Sequence, residues 1–212
     1  MKADESCLFF DGLAGKIETI VEAPASPRGI VLVCHPHPLF GGTHTNKVAH
    51  TLARVFVQMD YIALRPNFRG VGASDGFHDH GEGETDDMLA LLAQARVRFG
   101  NLPVALAGFS FGAYVQTRVA ERLAENNRPA QGLALVGLAT GQIAGTRQYT
   151  ARHVTSDTLV IHGSADETVP LNNVLAWAEP QDLPIIVIPG ADHFFHRRLH
   201  NIREAVRRYW PH

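Results

Sequence analysis

The sequence predicts an α/β chain: a doubly wound, mostly parallel sheet opened by an antiparallel hairpin and carrying no cap domain. Three observations predict it. Short β-branched runs alternate with stretches of helical apolar spacing, the pattern of strands joined by crossover helices. The later runs are apolar without alternation, as parallel strands covered on both faces are. Polar residues with the makings of chemistry follow several runs at their carboxyl ends, where open α/β sheets assemble their sites.

In order, Leu8 to Phe10 and Lys16 to Ala23, separated by Asp11-Gly12, read as the opening hairpin, and Pro24 and Pro27 break the chain after it. Parallel pairing is expected from Gly29 to Cys34 onward. Val48, Leu52, Val55, Phe56 and Met59 repeat at helical spacing and predict a crossover helix, after which Ile62 to Arg65 returns as a strand. Met88 to Phe99 is the next helix, with Asp86 and Asp87 in its first turn where negative charge suits the dipole, and Gly100-Asn101 as its stop. A strand over Pro103 to Ala107 leads into a helix over Ala113 to Ala124. Gly132 to Leu138, Thr158 to Ile161 and Pro184 to Ile188 read as buried strands, and Leu171 to Ala178 and Asn201 to Trp210 as the last helices. No repeat, low-complexity tract or linker interrupts this, so residues 1–212 are expected to form one domain.

Composition narrows the function. With 45% hydrophobic and 19% charged residues the chain can bury a parallel sheet without staples. A formal charge of -2 and a pI near 6.6 leave no basic footprint for a phosphate backbone, so nucleic acid is not expected as a partner. The arginine pairs near Arg96, Arg197 and Arg207 read as solvated helix faces. Cys7 and Cys34 lack the density of a disulfide scaffold and are expected as free thiols. Met1-Lys2-Ala3-Asp4-Glu5 is followed by no apolar leader and no spanning segment is visible, which makes the cytoplasm the expected location.

Gly108-Phe109-Ser110-Phe111-Gly112 sits between a strand and a helix, so Ser110 occupies a sharp turn. There the backbone is strained and the two elements nearly touch, which leaves no room for bulk two places before or after the serine; Gly108 and Gly112 fill both places. A serine hydroxyl is a poor nucleophile near neutrality and requires an imidazole to take its proton. His193, in Gly190-Ala191-Asp192-His193-Phe194, is the candidate base. Asp166, in His162-Gly163-Ser164-Ala165-Asp166, is the candidate carboxylate that orients the imidazole, with Asp192 the competitor. An oxyanion formed at Ser110 requires two N–H donors, one of them expected from Phe111 at the positive end of the new helix.

The order Ser110, Asp166, His193, read with the glycine-flanked serine, resembles the α/β-hydrolase superfamily, and specifically small lid-less bacterial serine hydrolases and esterases with a His-Pro-His-Pro loop. His35-Pro36-His37-Pro38 is similar to the superfamily's His-Gly oxyanion segment, with proline where glycine is usual. Pro66-Asn67-Phe68-Arg69-Gly70-Val71-Gly72-Ala73-Ser74 is similar to its Arg-Gly-x-Gly-x-Ser loop, which makes Arg69 a structural brace or a substrate contact. The similarity covers residues 28–196. It implies a sheet of the α/β-hydrolase type, with no cap because only Ala139 to Asp157 separate two strands where larger relatives insert one. Pro36 and Pro38 have no N–H, so the second oxyanion donor is the main chain of His37, with Leu39 in reserve. Leu39 and Phe40 either line an acyl pocket or simply pack. The implied activity is hydrolysis of small or exposed carboxylic esters through an acyl-enzyme on Ser110, acting on a small-molecule acyl substrate. Thioester or amide cleavage would use the same residues, and a non-catalytic binding protein on the same fold is the alternative from another class.

The chain's 12 histidines also raise a metal reading, through His35-x-His37 and His78-Asp79-His80. No His-Glu-x-x-His helix or paired Cys-x-x-Cys accompanies them, and His78 and His80 fall in a Gly-rich stretch that reads as a surface loop, so no metal is expected. Gly70-Val71-Gly72-Ala73-Ser74-Asp75 has Asp75 in the place of the third glycine of a dinucleotide fingerprint, and no cofactor is expected.

Overall fold

The structure, a computed structural model, describes residues 4–143, 145 and 147–210. Met1 to Ala3, part of the segment read for a leader, lie outside the described residues. The elements run β1 (Asp4–Gly12), β2 (Gly15–Ala23), β3 (Gly29–Cys34), a 3-10 turn (Pro38–Phe40), α1 (Lys47–Val57), β4 (Tyr61–Pro66), α2 (Glu82–Phe99), β5 (Val104–Phe109), α3 (Phe111–Glu125) and β6 (Gly132–Val136). There follow a two-residue ladder of β7 (Gly141–Gln142) and β8 (Gln148–Tyr149), then β9 (Leu159–Gly163), α4 (Leu171–Ala178), a 3-10 turn (Glu179–Gln181), β10 (Ile185–Ile188) and α5 (Leu199–Tyr209).

Eight strands form one sheet in the order β1-β2-β4-β3-β5-β6-β9-β10. β1 and β2 pair antiparallel and β2 meets β4 antiparallel, whereas every pair from β4 to β10 is parallel. The expected mostly parallel sheet with an antiparallel hairpin is therefore what the chain builds. α1 and α5 cover one face, packing Val48, Leu52, Phe56, Ile202 and Val206 against Val31, Val33, Ala105 and Ala107. α2, α3 and α4 cover the other, where Met88, Leu91, Val115, Val119 and Val174 meet Ile30, Leu32, Leu64 and Leu106. Val31 and Leu32 thus enter different cores from adjacent positions, which is why β3 reads as a continuous apolar run.

Three features differ from the sequence expectation. The hairpin turns at Leu13-Ala14 rather than Asp11-Gly12: Asp11 pairs with Lys16 and Gly12 with Gly15, whose φ of 122° only glycine adopts readily. α2 begins six residues before Met88, at Glu82, because Glu84 folds back to accept from the Gly81 N–H and caps the helix. Asp86 and Asp87 consequently lie in its second turn, and Asp87 is buried, accepting from Arg69 Nε at 2.8 Å and from the Leu13 N–H at 2.9 Å. β10 is an edge strand and only partly buried, in contrast to the covered strand expected.

β3 and the chain after β4 are tied by one imidazole. His35 is fully buried, with Nδ1 2.6 Å from the Pro36 carbonyl and Nε2 accepting from the Phe68 N–H at 3.0 Å. Those partners place the proton on Nδ1 and leave Nε2 bare, so the ring is neutral; burial holds its pKa down to about 3.

Two outcomes are expected. A β-carbon at Gly112 would overlap the carbonyls of Cys34 and His35, and one at Gly108 would lie 2.5 Å from the Gly112 carbonyl oxygen. Gly108→Ala or Gly112→Ala should therefore lower unfolding free energy by about 1–3 kcal/mol in urea titration, the range for overpacking. His35 takes up a proton more readily unfolded than folded, so it contributes stability that is present above its ordinary pKa of 6.5 and is lost as pH falls toward about 3. Between pH 7 and pH 5, stability measured by urea titration should fall less steeply in His35→Gln than in the native chain, one proton of linkage being about 1.4 kcal/mol per pH unit.

Candidate active site

Ser110 stands between β5 and α3 with φ 56° and ψ -118°, a conformation disfavoured for a non-glycine residue at a cost of roughly 1–3 kcal/mol. The surroundings hold it there. Its N–H donates to Val136 O at 2.9 Å, and its carbonyl accepts from the Tyr114 and Ala139 N–H groups at 3.1 and 3.3 Å. Strain at this point turns the hydroxyl out of the sheet toward the carboxyl edge.

Asp166 and His193 reach the same edge from β9 and β10. The two loops are fastened together: Ser164 N–H donates to Ile188 O at 3.1 Å, Ala165 N–H to Ala191 O at 3.0 Å, and Gly190 N–H to Ser164 Oγ at 2.8 Å. Gly163 allows this, since a β-carbon there would overlap the Ala191 carbonyl. Beyond His193 the chain is anchored by Phe195, fully buried at φ 53° among the side chains under α1 and α5.

The result is a continuous line of hydrogen bonds. His193 Nε2 lies 2.9 Å from Ser110 Oγ and His193 Nδ1 lies 2.7 Å from Asp166 Oδ2, with all three residues buried. Asp166 Oδ1 accepts from the Thr168 and Val169 N–H groups at 2.9 and 2.8 Å, which fixes the plane of the carboxylate. Asp192 points elsewhere, to His196 Nδ1 at 2.7 Å on the surface, so the competitor for the carboxylate position is remote from the imidazole. An oxygen held in this way can transfer its proton to Nε2 as it attacks, while Nδ1–H is stabilised by a fixed anion.

Phe111 is the first residue of α3 and is buried, and it packs against His37, which lines the cavity beside Ser110. The rings of His37 and Phe111 are 4.9 Å apart. Leu39 is committed locally: its N–H donates to His37 Nδ1 at 3.2 Å. Burial first, then the neighbouring His78, holds the His37 pKa down to about 4, so His37 is neutral with its proton on Nε2. Leu39 and Phe40 are 69% and 67% exposed, so neither packs in a core, and Phe40 lines the cavity beside Ser110.

Four residues around the site were not assigned to it from the sequence. His78 is not a solvated loop residue: its side chain is 6% exposed, bonds Glu84 Oε1 at 2.8 Å and packs against His37 and Phe111 at 4.7 and 5.3 Å. Glu84, wholly buried, is held by the Asp79 and Gly81 N–H groups as well. His162 lies behind Asp166, with Nε2 2.9 Å from Val169 O and 3.5 Å from Asp166 Oδ2. Tyr149 of β8 closes the aromatic wall, 5.9 Å from Phe111. A lone histidine ending an apolar strand was a usable signal for His162; Tyr149 carried none. Arg69 is a brace to Asp87 and does not line the cavity beside Ser110.

The cavity beside Ser110 measures 240 Å³ and is lined by His37, Phe40, Asn46, Arg147, Thr168 and Phe194 among others. A larger depression of 450 Å³ between β1 and α2 is lined by Leu8, Phe9, Phe10, Gln94, Val97 and Arg98 and contains no nucleophile. Among the described residues no group of three or more His, Cys, Asp or Glu could hold a metal ion. Cys34 is buried and Cys7 exposed, both free, and burial pushes the Cys34 thiol far up. No helix among the described residues is long and apolar enough to cross a membrane.

Comparison with known proteins identifies the family and the fold. Residues 25–144 match the profile of a hydrolase family described as serine aminopeptidase, S33. An uncharacterized protein of Rickettsia prowazekii, RP471, is 33% identical over 95% of this chain and 87% of its own length. Among solved structures, the Xanthomonas campestris protein XC6422, described as an α/β serine hydrolase without lid, is 34% identical with a TM-score of 0.84, covering 100% of this chain and 98% of that one. An α/β serine hydrolase homologue from Coxiella burnetii is 32% identical with a TM-score of 0.81, covering 100% and 99%. This chain belongs to the serine aminopeptidase S33 family of the α/β-hydrolase superfamily and is a serine hydrolase.

Proposed function

We propose that this protein cleaves small or exposed carboxylic esters through an acyl-enzyme on Ser110. The observation that carries the reading is the unbroken line from Ser110 Oγ through His193 to Asp166, at 2.9 and 2.7 Å. His193 takes the serine proton as Oγ attacks the carbonyl carbon, and gives it to the departing alcohol as the tetrahedral intermediate collapses. Water then enters, His193 takes a proton from it, and the acyl group leaves as the acid while Ser110 Oγ is reprotonated.

The oxyanion is held by the main-chain N–H groups of Phe111 and His37. Leu39 is the weaker candidate, since its N–H is engaged with His37 Nδ1. One such donor is worth about 2.7–4 kcal/mol of transition-state stabilisation. His78, wedged against both His37 and Phe111, holds the two donors at a fixed spacing.

Substrate size follows from the 240 Å³ cavity and the absence of room for a lid between β6 and β9. Phe40 and Phe194 supply apolar walls that suit a short acyl group. Esters fit better than amides as the first class to assay, because an alkoxide leaves more readily than an amide nitrogen and makes a smaller demand on an open cleft. A cytoplasmic location and one domain over residues 1–212 are part of the same reading.

Ser110→Ala and His193→Ala are each expected to reduce turnover of a short-chain ester by roughly 10⁴-fold, and Asp166→Asn somewhat less. A fluorophosphonate probe should label the native chain at Ser110 and leave Ser110→Ala unlabelled. Failure of a folded native chain to label would overturn the covalent reading. A panel of esters, thioesters and amides then ranks the substrate classes, and a long-chain triglyceride preference would refute the short-acyl assignment.

A further inference from the structure

The apolar lining of the cavity beside Ser110 is aromatic. No leucine, isoleucine, valine or methionine is among its described lining residues; apart from Pro36, its apolar side chains are Phe40 and Phe194, and the His37 and His193 imidazoles line it as well. Gly41 and Gly42 add bare backbone: Gly41 has φ 77°, and a β-carbon at Gly42 would lie 2.1 Å from the Pro36 carbonyl oxygen, so neither position readily takes a side chain. Rings and bare peptide planes suit a flat group better than a branched or puckered one.

The two phenyl rings differ in what they have left to offer. Phe40 already carries the Arg147 guanidinium over its ring at 4.1 Å and meets His37 edge-to-face at 4.9 Å. Phe194 follows His193 and precedes the fully buried Phe195, and it meets Phe109 and the His193 imidazole edge-to-face at 5.9 and 5.2 Å. Despite these contacts it is 47% exposed, so a ring held by its neighbours keeps surface free for another group in the cavity it lines.

Chemistry decides which half of an ester meets that ring. The departing alcohol oxygen has to come within hydrogen-bond reach of His193 Nε2 to receive its proton, and Phe194 packs against that imidazole. With a short acyl group at Ser110, the ring beside His193 is open to the alcohol half.

We propose that Phe194 is a specificity-determining residue and that the preferred substrates carry an aromatic ring in the alcohol portion, packed offset or edge-to-face on Phe194. The inference rests on the acyl-enzyme chemistry proposed above. The quadrupole of a benzene ring rewards such packing beyond the area buried, whereas a saturated ring of the same size gains from burial alone.

The test compares 2-phenylethyl acetate with 2-cyclohexylethyl acetate, which share the acyl group and the spacing of ring from ester oxygen. The cyclohexyl member is the more apolar, so burial alone favours it and ring packing favours the phenyl member. The native protein should favour phenyl by about three- to tenfold in kcat/KM, mainly through KM. Phe194→Leu should bring the ratio to one or below, and Phe194→Tyr should keep it above one. Because each ratio is internal to one protein preparation, loss of folded material cancels. In the native protein, 2-phenylethanol should also inhibit hydrolysis of 4-nitrophenyl acetate at a several-fold lower concentration than 2-cyclohexylethanol, a measurement that needs no variant.

A ratio of one or less for a native protein that labels at Ser110 would overturn this assignment while leaving the hydrolase reading intact. So would a phenyl preference that Phe194→Leu leaves unchanged, or equal inhibition by the two alcohols. Absence of both labelling and turnover would remove the acyl-enzyme reading and this inference with it.

Discussion

The close approach of α3 to β5 and to the end of β3 is the constraint on which the rest of the structure depends. Two glycines permit it: at Gly112 a side chain would strike the Cys34 and His35 carbonyls, and at Gly108 it would strike the first turn of α3. With the helix packed this tightly, Ser110 has no room to adopt a relaxed conformation and is left at φ 56°. The strain is balanced by three backbone hydrogen bonds at Ser110 and by burial of Val115 and Val119 beneath the helix. A looser contact would relax the serine and withdraw its hydroxyl from the edge of the sheet.

The second organising feature is the use of imidazoles as neutral building parts. His35 joins β3 to the chain after β4, His37 accepts from its own loop, and His162 lies behind Asp166; burial is the leading cause holding all three below the ordinary histidine pKa. In each case one nitrogen faces a main-chain partner, so ring orientation and tautomer are set together. A charged ring at His35 would place a donor against the Phe68 N–H and separate the two loops it connects. Chemistry and architecture thus draw on the same side-chain type, distinguished by which polar groups surround it.

The cleft itself is assembled from loops at one sheet edge, with walls that come from distant parts of the chain. Phe40 follows β3, His78 precedes α2, Tyr149 belongs to the two-residue ladder after β6, and Phe194 follows β10. The segment between β6 and β9 is too short for a lid, yet it supplies Arg147 to the cavity lining and packs Tyr149 against Phe111. A missing cap leaves the pocket shaped by what small loops can reach, which accounts for both its modest volume and its open mouth.

The linear chain by itself determined the alternation of strands and helices, the turn at Ser110 and the placement of Asp166 and His193 after apolar strands, because these are local patterns of period, glycine spacing and order. It also restricted the donors near Pro36 and Pro38, since proline has no N–H. It did not determine that Glu84 would cap α2 and so lengthen it, that His78 would turn inward, or that Asp192 would face His196 in place of His193. Those outcomes depend on which groups become neighbours once the loops are tied at Gly163 and Gly112, and sequence separation holds no record of such distances. Arg147 shows the difference plainly: as a residue in a short connection it resembles any solvated arginine, and only the folded chain sets it over the Phe40 ring in the lining of the cavity beside Ser110.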